Sequence, residues 1–221
     1  GDAVLAIFGA PIQREDDATR AVRCVVEMQL AMGEVNRRYL AKGYPEVQMG
    51  IGVNSGAAIV GNIGSKKRSK YAVVGRVVNT TSRIESYTVG GQILISEATR
   101  NACDVLLRID DELKVMPKGI SKEMTIFDLG GVYGDEELLL PEKRDEPLIP
   151  LSSPVDLQVA RLEGKFARET FAGKILALNA SAFDLQVEQN CPPLSSLKLI
   201  LPDTSELYVK VMRQLADPPD S

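Results

Sequence analysis

The stretch KYAVVGRVVNTTSRIES, residues 70–86, constrains this chain more than any other. Residues 71–74 form a short apolar run that reads as a strand, Gly75 is a turn, and residues 76–86 read as a helix. A strand that passes through one glycine into a helix commits the chain to mixed α and β structure. Asn79 and Arg83 lie four apart on that helix, so both project from one face. An amide beside a guanidinium is a pair of closely spaced donors. It suits a dispersed negative charge, such as a phosphate oxyanion in a transition state.

The 221 residues give room for two small domains, and a hydrophobic content of 44% supports a packed core. A net charge of -4 with no basic tail argues against nucleic-acid binding by bulk electrostatics. The chain has no histidine, which excludes histidine-ligated zinc and histidine general bases. Cys24, Cys103 and Cys191 are far apart and lack metal-ligand spacing, so they read as reduced thiols of an intracellular, cytoplasmic protein. No apolar run approaches the ~20 residues of a membrane-spanning helix, and no signal peptide is present. The opening GDAVLAIFGAP is already mid-pattern and reads as an excised piece of a longer protein, whose membrane attachment stays open.

Along the chain, residues 3–8 read as a strand ended by Gly9-Ala10-Pro11. An amphipathic helix is expected over residues 17–42. Ala21, Val22, Val25, Met28, Ala31 and Met32 form its buried stripe, and Gly43 closes it. Val47, Met49, Ile51 and Val53 alternate as a second strand, which Asn54-Ser55-Gly56 should turn into a hairpin with residues 57–60. A basic loop, residues 65–70, precedes the strand–turn–helix. Further strands are expected at residues 92–95, 113–116 and 123–129, with a helix capped by Ser96. Residues 133–154, rich in charge and proline, read as a linker. Beyond it, strand-like runs at residues 174–178, 183–187, 197–201 and 207–211 indicate a small all-β unit, residues 155–221, of barrel type.

In order and spacing, GDAVLAIFGAP, MGIGVNSG with IVGNIGS, and VVGRVVNTTSRIES resemble the class III adenylate and guanylate cyclases over residues 1–132. The resemblance implies an α+β, ferredoxin-like sheet with flanking helices, lacking its first strand here. It implies a phosphorus–oxygen lyase that converts a nucleoside triphosphate, ATP ahead of GTP, to a 3′,5′-cyclic nucleotide and pyrophosphate for intracellular signalling. Its sites would form between two copies in a head-to-tail homodimer, with Mg2+ or Mn2+, two ions per site, and a sensor domain upstream.

Carried residue by residue, Asn79 matches the group that orients the ribose and Arg83 the one that stabilises charge on the α-phosphate. Asp2 matches the second of two metal-holding aspartates; the first is expected upstream of this chain. Lys118, before Gly119, matches a lysine that contacts the triphosphate. Arg76 departs from the pattern. Adenylate cyclases usually carry an aspartate or threonine after this glycine to read the adenine amino group. An arginine is donor-only; it suits guanine O6 and N7, or a phosphate. The alternative is a catalytically inactive, cyclase-like module for nucleotide sensing or dimerisation. Without its first strand the piece itself is expected to be inactive.

Residues 162–211 faintly resemble a PilZ-type β-barrel. The ligand-binding turn of that family is degenerate here at Asn179-Ala180-Ser181-Ala182, and Arg161 and Arg168 do not form its arginine pair. A packing or regulatory role suits this unit better than ligand binding.

Overall fold

A computed structural model of the chain describes residues 3–65, 67–116, 123–142, 146–163 and 166–215. They fall into two compact units, Gly1–Glu142 and Lys143–Ser221.

The first unit is built on α1 (Asp17–Leu40), β1 (Ile51–Val53), β2 (Ile59–Ser65), β3 (Arg68–Val74), α2 (Arg76–Ser86), β4 (Ile93–Ser96), α3 (Glu97–Ala102), β5 (Leu107–Val115), β6 (Met124–Val132) and β7 (Leu138–Leu139). Its main sheet has the order β1-β4-β6-β5, with β7 paired to the end of β6. The β1–β4 pair is parallel and in register Ile51↔Ile93, and the other pairs are antiparallel. Helix α1 lays Val22, Val25 and Val26 on one face of this sheet, against Ile93, Ile95, Phe127, Leu129 and Val132. Asp17 in its first turn and Arg37 and Arg38 in its last complement the helix dipole. Past its end, Gly43 takes φ +75°, and the Tyr44 amide returns to the Tyr39 carbonyl at 3.0 Å. The stripe continues through Val26 and Gln29 rather than through Ala31, which is exposed. Gln29 reaches the sheet differently, donating from Nε2 to the Met49 carbonyl at 2.6 Å.

Alternation places α2 on the opposite face. Ile51 and Val53 pack towards α1, so Gly52 between them points the other way, directly at Glu85 of α2. Ile84 is the fully buried residue of that helix.

Up to residue 154, four expectations differ from what is seen. Residues 3–8 are not a strand: Val4 is 85% exposed and Leu5 61%. An apolar alternating run becomes a strand only when a neighbour completes its ladder, and no described residue does so here. The second strand starts at Ile51, not at residue 47, because Val47 commits both backbone groups to Asn36. Asn36 Nδ2 donates to the Val47 carbonyl at 3.0 Å, and the Val47 amide donates to Oδ1 at 2.9 Å. The hairpin forms one step later, between β2 and β3, in register Ile59↔Val74 through Ser65↔Arg68. Asn54-Ser55-Gly56 cannot reverse tightly because it is occupied elsewhere. Asn54 Nδ2 donates to the Val77 carbonyl at 3.2 Å, and the Ser55 hydroxyl meets that of Thr99 at 3.1 Å.

The fourth difference is the expected linker. Leu138 and Leu140 pack on the core of the first unit, held by Arg108, whose Nη2 donates to the Leu140 carbonyl at 3.0 Å. Farther on, Ile149 opens a long strand. Two prolines, Pro150 and Pro154, had disguised it, and the ladder absorbs them by shifting register between Pro150 and Val155.

The second unit comprises β8 (Ile149–Glu163), β9 (Phe166–Leu178), β10 (Phe183–Val187), β11 (Ser196–Ile200) and β12 (Glu206–Lys210). Its antiparallel order is β10-β9-β8-β11-β12. Phe171, Gly173, Ile175 and Ala177 are buried at every second position, as a strand with one covered face requires. Leu157, Val159, Phe171, Ile175, Leu197 and Leu199 form the core, joined by Leu185 and Val187 of β10 and Val209 of β12. Strands at both ends of the path thus pack on one cluster, and among the described residues the sheet is an open path in which β10 and β12 are not paired, rather than the closed barrel expected.

Candidate active site

The strand–glycine–helix expected from sequence is present as β3, Gly75 and α2. Gly75 sits close against the preceding loop; a Cβ there would stand 3.3 Å from the Ala57 carbonyl oxygen. Backbone contact is therefore what sets the start of α2, and no side chain caps it.

Arg76, Asn79 and Arg83 occupy positions i, i+3 and i+7 and line a single face of α2. Arg76 and Asn79 are exposed, whereas Arg83 is half-buried. Among the described residues, none of these three side chains is hydrogen-bonded or ion-paired. For Arg83 this is informative. A guanidinium drawn out of water without a carboxylate keeps its full charge available for an anion that is not part of the fold. The next residue along the same row is Tyr87. Burial pushes its phenol above the usual value, and the Arg83 guanidinium nearby pulls it partly back.

The register of α2 on the sheet is fixed from below by residues that sequence reading did not single out for the site. Gly52 lets the β1 backbone touch the helix at Glu85, Gly56 lies against Val77, and Asn54 holds the Val77 carbonyl. Their signal was the spacing of small residues in GIGVNSG. On the same face of the sheet, Asp128 is buried and accepts from Gln92 Nε2 at 2.7 Å. A lone acid in the apolar run TIFDL is the trace it leaves in the sequence.

Asp2 and Lys118 lie outside the described residues. Among the described residues no group of three or more Asp, Glu, Cys or His side chains could hold a metal ion. Nor is any described helix long and apolar enough to cross a membrane.

This arrangement has close parallels. The chain is 50% identical to the guanylyl cyclase Cya2, whose crystal structure it matches with a TM-score of 0.58 over 61% of this chain and 68% of that one. The crystal structure of the adenylyl cyclase CyaB from P. aeruginosa gives 28% identity and a TM-score of 0.51, over 63% and 68%. Adenylate cyclase 1 of Rhizobium meliloti (strain 1021) is 31% identical over 134 residues, which are 60% of this chain and 20% of that protein. An uncharacterized protein of Mycobacterium tuberculosis (strain ATCC 25618 / H37Rv) is 45% identical over 87 residues, 38% of this chain and 14% of its own length. The chain therefore spans a fifth or less of these curated relatives. The profile described as "Adenylate and Guanylate cyclase catalytic domain" matches residues 1–130. With its sheet, its α2 and its polar row accounted for, the chain belongs to the adenylate and guanylate cyclase catalytic domain family.

Proposed function

We propose that this chain carries the catalytic part of a nucleotide cyclase acting on a purine nucleoside triphosphate. The ribose 3′-oxygen loses its proton and bonds to the α-phosphorus. The bond from that phosphorus to the bridging oxygen breaks, and pyrophosphate leaves. The observation that supports this best is the half-buried guanidinium of Arg83, one helical turn from Asn79 and without a hydrogen-bond or ion-pair partner among the described residues. Asn79 orients the ribose through its amide. Arg83 stabilises the charge that grows on the α-phosphate, a role worth about 3–4 kcal/mol for one well-placed donor. Lys118 contacts the triphosphate, and Asp2 helps to hold Mg2+ or Mn2+, which neutralises phosphate charge when bound.

A second copy of the chain completes the site. In support, β2 and β3 form an isolated two-stranded hairpin, an arrangement only marginally stable by itself in water. The hairpin leaves Ile59 72% exposed and Tyr71 61%, with Ile63 and Val74 also exposed. A head-to-tail homodimer in the cytoplasm, driven by an upstream sensor, is the assembly that fits this reading.

ATP is the substrate favoured from sequence. GTP is the second reading, supported by the higher identity to a guanylyl cyclase and by Arg76, an exposed donor at the first position of α2. The test is turnover of ATP and of GTP by the full-length protein with magnesium and with manganese. Cyclic nucleotide and pyrophosphate in equal amounts are expected. No product from either nucleotide would leave the non-catalytic, cyclase-like module as the correct reading.

A further inference from the structure

We propose that Ser55 and Thr99 are positioning residues for Asn79 and Arg83: their hydroxyls tie the loop after β1 to the start of α3, and Asn54 of that loop passes the hold to the first turn of α2. The proposal rests on the catalytic reading of Asn79 and Arg83 and goes beyond it. Three observations carry it.

First, α2 does not secure its own start. No side chain caps it, and its first turn closes through the Val78 amide on the Gly75 carbonyl at 3.2 Å. The first amides of a helix have no partner within it, so an uncapped first turn frays unless something outside holds it. Asn79 stands only three residues past Arg76, where the helix begins, so a shift of that turn moves it.

Second, residues 54–58 supply the hold. Asn54 Nδ2 donates to the Val77 carbonyl at 3.2 Å, and the Thr81 hydroxyl donates to the same oxygen at 2.9 Å. One carbonyl is thus pinned from the loop and from the next turn of the helix. Gly56 fits against the Val77 side chain, where a Cβ would stand 3.2 Å from Cγ2.

Third, the loop is anchored on its other side by buried hydroxyls. The Ser55 hydroxyl meets that of Thr99 at 3.1 Å, and the Thr99 hydroxyl meets that of Ser96 at 3.1 Å. Thr99 is fully buried and Ser96 is 2% exposed. Ser96 caps α3 by accepting from the Thr99 amide, so the cap does not need the Thr99 hydroxyl. What that hydroxyl adds is the grip on Ser55, and a satisfied polar chain in a buried place fixes geometry.

The test compares Thr99→Val with Thr99→Ser in the full-length protein. Thr99→Val keeps the shape and removes the hydroxyl. Its turnover is expected to fall about tenfold, the weight of one hydrogen bond lost from positioning. KM should stay within about twofold of the parent value, because the groups displaced act in the transition state. Thr99→Ser keeps the hydroxyl and deletes a buried methyl, so it should keep parental turnover while its thermal midpoint falls. A purely structural role would make turnover follow the midpoint instead. In an Asn54→Ala background Thr99→Val should cost little further, since Asn54 passes the hold to α2. Parental turnover in Thr99→Val, equal losses in Thr99→Val and Thr99→Ser, or losses that add fully to that of Asn54→Ala overturn the proposal.

Nuclear magnetic resonance decides the same question without catalysis. In protein labelled with 15N at asparagine, the Asn79 backbone amide line should move in Thr99→Val and stay in place in Thr99→Ser. An unmoved line in Thr99→Val overturns the proposal. Should Thr99→Val fail to fold, Ser55→Ala, which cuts the same chain at a half-buried residue, is read in the same way. If the parent makes no cyclic nucleotide, it is the catalytic reading that fails, and the Asn79 line still reports whether the hydroxyls position α2.

Discussion

Gly52 and Glu85 touch through their backbones. A Cβ on Gly52 would stand 2.5 Å from the Glu85 nitrogen and 2.8 Å from its Cα. Strand β1 therefore passes beneath α2 with only a hydrogen between them. This sets the depth of the helix two residues beyond Arg83.

Gly52→Ala is expected to lift α2 or bend β1. Overpacking of this kind costs about 1–3 kcal/mol, which urea unfolding of the chain would show. In the full-length protein it should also lower turnover, since a displaced guanidinium cannot meet the α-phosphate. Parental stability would mean that the close approach relaxes freely and does not position the helix.

Arg83→Ala in the full-length protein is expected to lower turnover at least about a hundredfold, the weight of one transition-state donor. Its thermal midpoint should stay unchanged, because among the described residues the side chain forms no hydrogen bond or ion pair. Near-parental turnover would remove Arg83 from the chemistry.

Gln92→Leu strips a donor from a carboxylate that is only 4% exposed. The expected loss is about 1–3 kcal/mol of stability, the cost of weakening the satisfaction of a buried acid. In the Asp128→Asn background the same change should cost less, since no charge is left to solvate. Equal losses in both backgrounds would show that Gln92 acts through packing alone.

Alkaline pH should weaken the fold. Burial pushes the thiols of Cys103 and Cys191 and the phenol of Tyr87 above their ordinary values. A group that holds its proton more tightly when folded lends stability below its unfolded pKa, and this is lost as pH climbs through the folded one. The urea midpoint is thus expected to be steady near neutrality and to fall above about pH 8.5, the ordinary thiol value, and again above about 10, the phenol value. A midpoint that rises over that range would contradict the burial of these groups.

Leu199→Ala opens a cavity in the second unit, where that side chain is fully buried. A loss of about 2–5 kcal/mol is expected. If the two units melt separately, only the transition of Lys143–Ser221 should move. A shift of both transitions would show that they unfold as one.

The sequence by itself determined the local units. Asn79 and Arg83 share a helix face because four residues make about one turn, whatever surrounds them. Ser96 caps α3, accepting from the Thr99 amide at 3.1 Å, because a hydroxyl at that position satisfies an otherwise orphaned donor. Tertiary structure decided what no short window can hold. Whether residues 3–8 and 47–50 join a ladder depends on partners far away in the chain, and Val47 is claimed instead by the side chain of Asn36. Two prolines made the start of β8, residues 149–154, read as part of a linker, yet pairing along most of β9 outweighs a local register shift. The lone charge of Arg83 is likewise a property of its surroundings. Residue order places a guanidinium on a helix; only the tertiary fold leaves it half-buried with no carboxylate partner among the described residues.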